Sequence, residues 1–227
     1  PDYWRTDAEG RKLPYLDRIE FKVFEDVQSR LSALESGQID LMHTSNFDTI
    51  AQLRQKAEAG DVALIENSEN AETNYLMLNQ ADPESDLRDV RVRKAIAYAV
   101  DYDTVNQARS AGIARIANGP FPPGAPGYLE DTGYPTYDPD KARQLVDEYE
   151  AENGPIELGI RTTSDQSNLL SAQLFQQFLE DVGMDVSVDQ QEQGELVLSA
   201  AKGEFDIFLY RNLATQDPDQ NNVFWGS

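Results

Sequence analysis

The fold is decided by residues 86–101, which read DLRDVRVRKAIAYAVD and carry the strongest amphipathic pattern in the chain. Apolar side chains recur at the i, i+3, i+4, i+7 and i+8 spacing of one helix face, which predicts a helix with one buried side. The carboxylate of Asp89 can accept the unpaired N–H groups of a first helical turn, so Asp89 is the predicted N-cap and Asp86 the alternative. The predicted buried positions are Val92, Ala95, Ile96, Ala99 and Val100.

The charges of this helix oppose its dipole. Arg91, Arg93 and Lys94 lie near the positive N-terminal end, and Asp101 lies near the negative C-terminal end. Such an arrangement costs roughly a few tenths of a kcal/mol per exposed charge. We interpret the basic residues as ion-pair partners of other elements in an acidic protein, and the alternative is a role in a domain interface.

The residues before this helix predict a strand, a helix and a second strand. Residues 19–24 alternate apolar and polar side chains, and residues 27–36 carry apolar side chains at helical spacing before Gly37 ends the helix. Residues 39–42 predict the second strand. This βαβ unit indicates an α/β layer with some parallel pairing.

The same order of elements recurs near the end of the chain. Strands are predicted at residues 156–161, 184–188 and 205–210, and helices at residues 168–181 and 195–202. Apolar stripes and glycine stops define the helices, and short apolar runs define the strands. The chain is therefore predicted to contain two βαβ-type halves.

A short sequence similarity links the two halves. The segment GQIDL at residues 37–41 resembles GEFDI at residues 203–207, and each leads from a helix end directly into a predicted strand. Short helix-to-strand loops often have this composition, so we favour a shared local pattern over a duplication.

Residues 118–137 separate the halves and cannot form regular structure, because five prolines and four glycines interrupt them. Their aromatic residues give them apolar surface to pack, so we expect an ordered cover over the lobe. A further helix is predicted to begin at Asp138, the N-cap, with Pro139 in the first turn, and to end at Gly154.

Composition excludes several classes of protein. Nineteen basic residues against forty-one acidic residues give a net charge of −22, which repels phosphate backbones, so nucleic acid is excluded as a partner. The chain has no cysteine, which excludes disulfides, thiolate metal sites and cysteine nucleophiles. No apolar run is long enough for a membrane-spanning helix. The forty per cent share of hydrophobic residues is sufficient for a globular core.

Five segments in order resemble the extracellular solute-binding proteins of family 5, the oligopeptide- and dipeptide-binding subunits of ABC importers. The resemblance covers nearly the whole chain, although each segment alone is weakly specific. The segments are residues 76–79, DVRVRKAIAYAVDYDTV at 89–105, GPFPPGAPGY at 119–128, YDPDKARQLVDE at 137–148 and QDPDQNN at 216–222.

This resemblance implies a periplasmic-binding-protein-like α/β fold of class II, with a mixed sheet and flanking helices. The chain begins at Pro1, and we expect it to be a fragment of a longer, two-lobed protein. Residues 1–68 would be the end of the first lobe, residues 69–211 the second lobe, and residues 212–227 the crossover back to the first. Composition marks no linker at position 68, so this boundary rests on the resemblance alone.

The resemblance also implies the function. It predicts a substrate-binding component that captures a peptide-like or other small polar solute between two lobes and delivers it to ABC permease subunits. The protein is expected to be a monomeric, non-enzymatic lipoprotein, anchored to a membrane in the periplasm or at the cell surface, without a cofactor. Two alternatives stay open: a hydrolase with a carboxylate pair and a domain that serves only in assembly.

Two other patterns have weaker support as sites. His43 is the single histidine and follows a predicted strand, but no nucleophile motif accompanies it, so a solvated or core histidine is favoured. Asp217, Asp219 and Asn221 match the start of a calcium loop, yet Asn222 stands where that loop needs glycine. An Asp-Pro-Asp turn explains the segment better.

The predicted ligand site follows the last strand. In peptide-binding members of the similar family, a carboxylate holds the peptide's amino group at the position of Ala214, and an aromatic residue stands at the position of Arg211. The loop at residues 162–167, TTSDQS, also lacks the arginine that such members can use for the peptide carboxylate. We therefore expect a ligand other than a simple free-amine dipeptide, with an acidic or polar group. The predicted binding residues are Arg211, Asn212, Thr215 and Asp217.

Overall fold

The computed structural model describes residues 3–66 and 73–211. The chain divides into two compact units, Pro1–Val62 and Ala63–Ser227, which we call the N-terminal unit and the C-terminal unit. The division lies a few residues before the boundary expected at position 68. The assignment of these units to lobes of a longer protein stays a prediction.

The N-terminal unit contains two helices that pack on each other. Helix α1, Val27–Glu35, confirms the prediction for residues 27–36, and helix α2, Phe47–Ala59, was not predicted. Lys56 of α2 and Glu35 of α1 form an ion pair of 2.6 Å. The buried apolar residues of the unit are Leu31, Ala33 and Leu53.

The two strands predicted in this unit are wrong. Within residues 3–62 the only β-pairing is an isolated bridge between Thr6 and Lys12, so residues 19–24 and 39–42 are not strands and the predicted βαβ unit is absent. The physical reason is that a strand needs a neighbouring segment for its backbone hydrogen bonds, and the described part of this unit supplies none. Several apolar side chains of these segments therefore face solvent: Phe21 is 90% exposed and Leu41 is 82% exposed.

The C-terminal unit is built on a four-stranded mixed sheet. Its strands are β1, Asn74–Leu78; β2, Glu157–Thr163; β3, Asp185–Gln191; and β4, Ile207–Arg211. Their order is β1-β4-β2-β3, with β4 antiparallel to β1 and β2 parallel to both β3 and β4. The late strand predictions and the expected mixed sheet are confirmed.

Five helices accompany this sheet in the described residues. They are α3, Val90–Ala99; α4, Tyr102–Ser110; α5, Pro139–Asn153; α6, Gln166–Glu180; and α7, Gln193–Lys202. A 3₁₀ turn at Asp86–Arg88 precedes α3. All except α4 begin within a few residues of a predicted helix start.

Helix α3 matches the prediction from its sequence. Asp89 caps it, because its Oδ1 accepts the Arg91 N–H at 2.7 Å. Arg91 reaches Glu152 of α5 at 2.9 Å, which confirms for this residue the interpretation of the basic side chains as cross-element ion-pair partners. Arg93 instead donates to the backbone carbonyl oxygens of Leu87 and Arg88, each at 2.8 Å.

One core joins this helix to the sheet. The inward face of β2 and β4, with fully buried Ile160 and Ile207, packs under helices α3, α5 and α6. Residues 118–137 contain no helix or strand, as expected, and are held by side-chain contacts. Tyr137 meets the Phe178 ring of α6 at 6.3 Å between centroids, and Asn118 donates to the carbonyl of Glu130 at 2.5 Å.

Candidate ligand site at the carboxyl edge of the sheet

Parallel strands β2 and β4 end at the same edge of the sheet, and β1 begins there. This edge is where α/β folds commonly bind small molecules. The register pairs Asn74, the first residue of β1, with Arg211, the last residue of β4. Sequence reasoning had selected Arg211, and its position at this edge makes it the reference point of the site.

The register also indicates which face Arg211 occupies. Side chains alternate along a strand, so Arg211 shares a face with Leu209 and Ile207. Ile207 is fully buried in the core under the helices, and Leu209 packs against that core. The guanidinium of Arg211 therefore lies on the helix-covered side of the sheet.

A second arginine interacts electrostatically with Arg211. Arg109, in the last turn of α4, is only partly exposed, and α4 packs against α6. Burial lowers the pKa of Arg109, the positive charge of Arg211 lowers that pKa further, and the carboxylate of Asp165 acts in the opposite direction. Asp165 itself caps α6 and accepts N–H bonds from Ser167 and Asn168 at 3.0 and 3.1 Å. We call Arg109 and Arg211 the arginine pair.

A pocket of about 240 Å³ lies near the same edge. The first residues of β1, helices α3 and α4 and the start of the 118–137 segment line it. Most of its surface is apolar, and the residues with polar side chains that line it include Asn74, Arg93, Tyr102, Asn118 and Tyr134. The hydroxyls of Tyr102 and Tyr134 are 3.2 Å apart, and burial is the main cause that raises the pKa of Tyr102. Such a mainly apolar pocket with a few polar groups suits a small organic ligand.

The opposite face of the sheet is aromatic at this edge. The Tyr75 and Tyr210 rings lie 5.9 Å apart, and the Phe208 and Tyr210 rings 5.4 Å apart. Arg161 lies on this face and approaches Asp189 of β3 at 3.9 Å. The two faces thus differ in chemistry, because the arginine pair lies on the helix-covered face and the aromatic cluster on the other.

The described residues cover one of the four predicted binding residues. Arg211 ends β4, whereas Asn212, Thr215 and Asp217 lie outside the described residues. Sequence reasoning missed Arg109, and no local pattern marks it, because only the packing of α4 beside α6 brings it to this edge. His43 is exposed, as its interpretation as a solvated residue expects.

Two further features are absent from residues 3–66 and 73–211: a metal-binding cluster and a membrane-spanning helix. No cluster of three or more histidine, cysteine, aspartate or glutamate side chains suitable for a metal ion is present in these ranges. None of the helices in the described part of the chain has the length and apolar character to cross a membrane.

The sequence and the fold match one family. The model for bacterial extracellular solute-binding proteins, family 5 Middle, matches residues 1–227. The chain belongs to this family. The di/tripeptide-binding protein 2 of Pseudomonas aeruginosa strain UCBPP-PA14 is 30% identical over 223 residues, which are 96% of this chain and 40% of that relative. The chain thus spans about 40% of the length of this relative.

Solved structures agree with this assignment. The ABC transporter-associated periplasmic binding protein DppA from Helicobacter pylori, in complex with peptide STSA, matches with a TM-score of 0.73 at 26% identity, over 89% of this chain and 38% of that one. NikA from Brucella suis, in complex with Fe(III)-EDTA, matches with a TM-score of 0.71 at 28% identity, over 87% and 42%. The expected periplasmic-binding-protein-like fold class is confirmed.

Proposed function

We propose that the protein to which this chain belongs is the substrate-binding component of an ABC importer, which captures a small polar or peptide-like solute. The match of the family model to the whole chain carries this proposal. The edge of the sheet with Arg211 and the neighbouring pocket provides a place for such a solute. The relatives named above bind a peptide or a metal chelate, so family membership leaves the solute open.

The solute differs from a simple free-amine dipeptide in this proposal. Ala214 has no carboxylate to hold an ammonium group, and the loop at residues 162–167 contains no arginine. Arg211 instead favours an acidic group through paired N–H bonds, and Asn212, Thr215 and Asp217 complete the proposed binding set.

The location, oligomeric state, partner and lobe division that we propose follow from the family. The binding component works outside the cytoplasm, in the periplasm or as a membrane-anchored lipoprotein at the cell surface, as a monomer that hands its solute to permease subunits. Residues 1–68 belong to the first lobe, 69–211 to the second and 212–227 to the crossover. In the full-length protein, two lobes close on the solute by a hinge motion.

Native mass spectrometry of the full-length protein, purified from its host, tests the proposal. We expect one small molecule bound per protein, released unchanged by denaturation. A protein that carries no small molecule, both as purified and after incubation with host extract, contradicts the proposal and favours an assembly-only domain.

A hydrolase is the rival function, and it needs a carboxyl group with a raised pKa. In residues 3–66 and 73–211, the carboxyl groups with a shifted pKa are Asp7, Asp26 and Asp89, and hydrogen bonds lower each of these values. Turnover of peptide or ester substrates by the full-length protein would establish the rival and overturn our proposal.

A further inference from the structure

We propose that Asn118 is a site of spontaneous deamidation, a reaction that converts its side-chain amide to a carboxylate and loosens the segment of residues 118–137. The modification consumes only water and does not depend on which solute the protein binds.

The tripeptide Asn-Gly-Pro occurs twice in the chain, at residues 118–120 and 153–155. Glycine after asparagine favours deamidation, because a residue without a Cβ lets its backbone nitrogen approach the asparagine side chain closely. The two sites have the same three residues, so their local sequences favour the reaction equally. A difference in reactivity between them therefore comes from the fold.

The reaction begins when the glycine backbone nitrogen attacks the carboxamide carbon of the asparagine. The new N–C bond closes a succinimide ring, and the carboxamide nitrogen leaves as ammonia with the proton that the glycine nitrogen gives up. Water then opens the ring to aspartate or isoaspartate. A glycine N–H that donates a hydrogen bond must first break that bond, so the bond slows the reaction.

The fold protects Asn153 in this way. Asn153 is the last residue of α5, and the Gly154 N–H donates to the Glu150 carbonyl at 3.0 Å where that helix ends. The Asn153 side chain donates to the Tyr149 carbonyl at 2.9 Å. Attack by the Gly154 nitrogen therefore requires the last turn of α5 to open.

The backbone nitrogen that follows Asn118 has no such bond. Within residues 3–66 and 73–211, the Gly119 N–H donates to no acceptor, and both Asn118 and Gly119 are partly exposed to water. The Asn118 side chain donates to the carbonyls of Leu129 and Glu130 at 3.3 and 2.5 Å. Since the Asn153 side chain also donates to a backbone carbonyl, the glycine N–H is what distinguishes the two sites.

Deamidation at Asn118 removes a set of contacts within the segment. The Asn118 side chain holds residues 129 and 130, and the Thr132 hydroxyl donates to the Asn118 carbonyl. A carboxylate has no N–H to donate, and its charge would face the carbonyl oxygens of Leu129 and Glu130. Because Asn118 lines the pocket described above, the reaction also places a negative charge on the pocket wall.

Peptide mapping of the full-length protein tests the proposal. The protein is incubated at physiological temperature and mildly alkaline pH, digested with trypsin, and analysed by mass spectrometry for the replacement of NH₂ by OH. Trypsin separates the two sites, because residues 116–141 contain Asn118 as their only asparagine and residues 144–161 contain Asn153 as theirs. A parallel incubation in guanidinium chloride measures both sites in the unfolded chain.

In the native protein, Asn118 should convert at least about fivefold faster than Asn153, the factor that one ordinary hydrogen bond contributes. In guanidinium chloride the two rates should become similar, because the two tripeptides are the same. Equal or faster conversion at Asn153 in the native protein would overturn the proposal. So would an unreactive Asn118 in the native protein when the denatured protein converts.

A pair of variants tests the role of the glycine. A Cβ at Gly119 would lie 3.2 Å from the Thr132 Cγ2, and Thr132→Ser removes that methyl group while it keeps the hydroxyl. Thr132→Ser alone should convert Asn118 as wild type does, whereas Thr132→Ser with Gly119→Ala should lose most of the conversion. Equal rates in the two variants would contradict the proposed attack by the Gly119 nitrogen.

The variant Asn118→Asp reproduces the aspartate product and tests the loosening of the segment. Chymotrypsin should cleave after Tyr128 at least about fivefold faster in this variant, because the segment opens without breaking the amide hydrogen bonds. Asn153→Asp is the control and should leave cleavage after Tyr128 unchanged. Unchanged cleavage in Asn118→Asp, or equal acceleration in both variants, would overturn the proposed loosening.

Discussion

The segments GQIDL at residues 37–41 and GEFDI at residues 203–207 begin alike and end differently. Gly37 and Gly203 both follow a helix with a left-handed backbone, at φ 70° and 71°. After Gly203 the chain enters strand β4, whereas after Gly37 it forms no strand. The same local pattern therefore has two outcomes in one molecule.

The difference lies in what each segment meets. Asn79 donates to the carbonyls of Gly203 and Phe205 at 2.9 and 2.8 Å, and Asp206 accepts the Gly159 N–H at 2.9 Å. These contacts lead β4 into the sheet, where Ile207 is fully buried.

The segment in the N-terminal unit has no strand beside it in the described residues. The Lys22 ammonium donates to the Gln38 carbonyl at 2.9 Å, and the Arg30 guanidinium bridges the carbonyls of Phe24 and His43, each at 3.1 Å. These are side-chain bonds to backbone, and they do not form a ladder. A strand is thus specified by its neighbours as much as by its own residues.

The largest expected effect is a difference in unfolding free energy between substitutions in the two segments. In this 227-residue chain, Ile207→Ala should lower the unfolding free energy of the C-terminal unit by about 2 to 5 kcal/mol, because it leaves a cavity in a close-packed core. Leu41→Ala is the matched control and should change stability by less than about 0.5 kcal/mol, since the side chain is exposed. Urea unfolding followed by circular dichroism measures both, and similar losses would mean that residues 39–42 are packed.

The second expected effect concerns the bonds that lead into β4. Asn79→Ala should cost about 1 to 3 kcal/mol, because the buried Asn79 side chain donates to the carbonyls of both Gly203 and Phe205. Lys22→Ala, which removes the comparable bond to Gln38, should cost less than about 0.5 kcal/mol at its exposed position. The same urea unfolding experiment measures both variants. An equal loss of unfolding free energy in the Lys22 and Asn79 variants would contradict this explanation of how β4 forms.

These comparisons explain what the sequence could predict. Helices α3 and α5 were predictable because their caps, Asp89 and Asp138, act on the adjacent turn, and α1 because its apolar side chains recur at helical spacing. Helices α2 and α4, with the largely polar sequences FDTIAQLRQKAEA and YDTVNQARS, were missed, although the caps Asn46 and Asp101 act on their first turns in the same way.

The site was predictable only in part. Arg211 follows a recognisable apolar run, so its position at a strand end could be inferred. The neighbour Arg109 could not, because its approach depends on how α4, α6 and β4 pack, and no local spacing encodes that packing. The strand predictions for residues 19–24 and 39–42 are wrong for a similar reason. Alternation of apolar and polar side chains shows only that a segment is suited to a sheet.

The smallest expected effect is a salt dependence of stability that follows from the different net charges of the two units. The C-terminal unit has 29 acidic and 11 basic residues, a net charge of −18, whereas the N-terminal unit has 12 and 8, a net charge of −4. Potassium chloride should therefore raise the melting temperature of the C-terminal unit, because the Debye length falls from about 10 Å at 0.1 M to about 3 Å at 1 M. Sucrose is the uncharged control, and a flat or falling midpoint across the chloride series would refute the effect.

The central claim is that the solute binds at the carboxyl edge of the sheet on the face of Arg211. Calorimetry on the full-length protein tests it most directly, with the molecule that native mass spectrometry identifies as titrant. Arg211→Ala should weaken binding by about 1.5 to 3 kcal/mol, the value of a hydrogen bond to a charged group. Arg161→Ala, on the opposite face beside Asp189, should leave the affinity unchanged. Unchanged affinity in Arg211→Ala, or an equal loss in both variants, would contradict the claim.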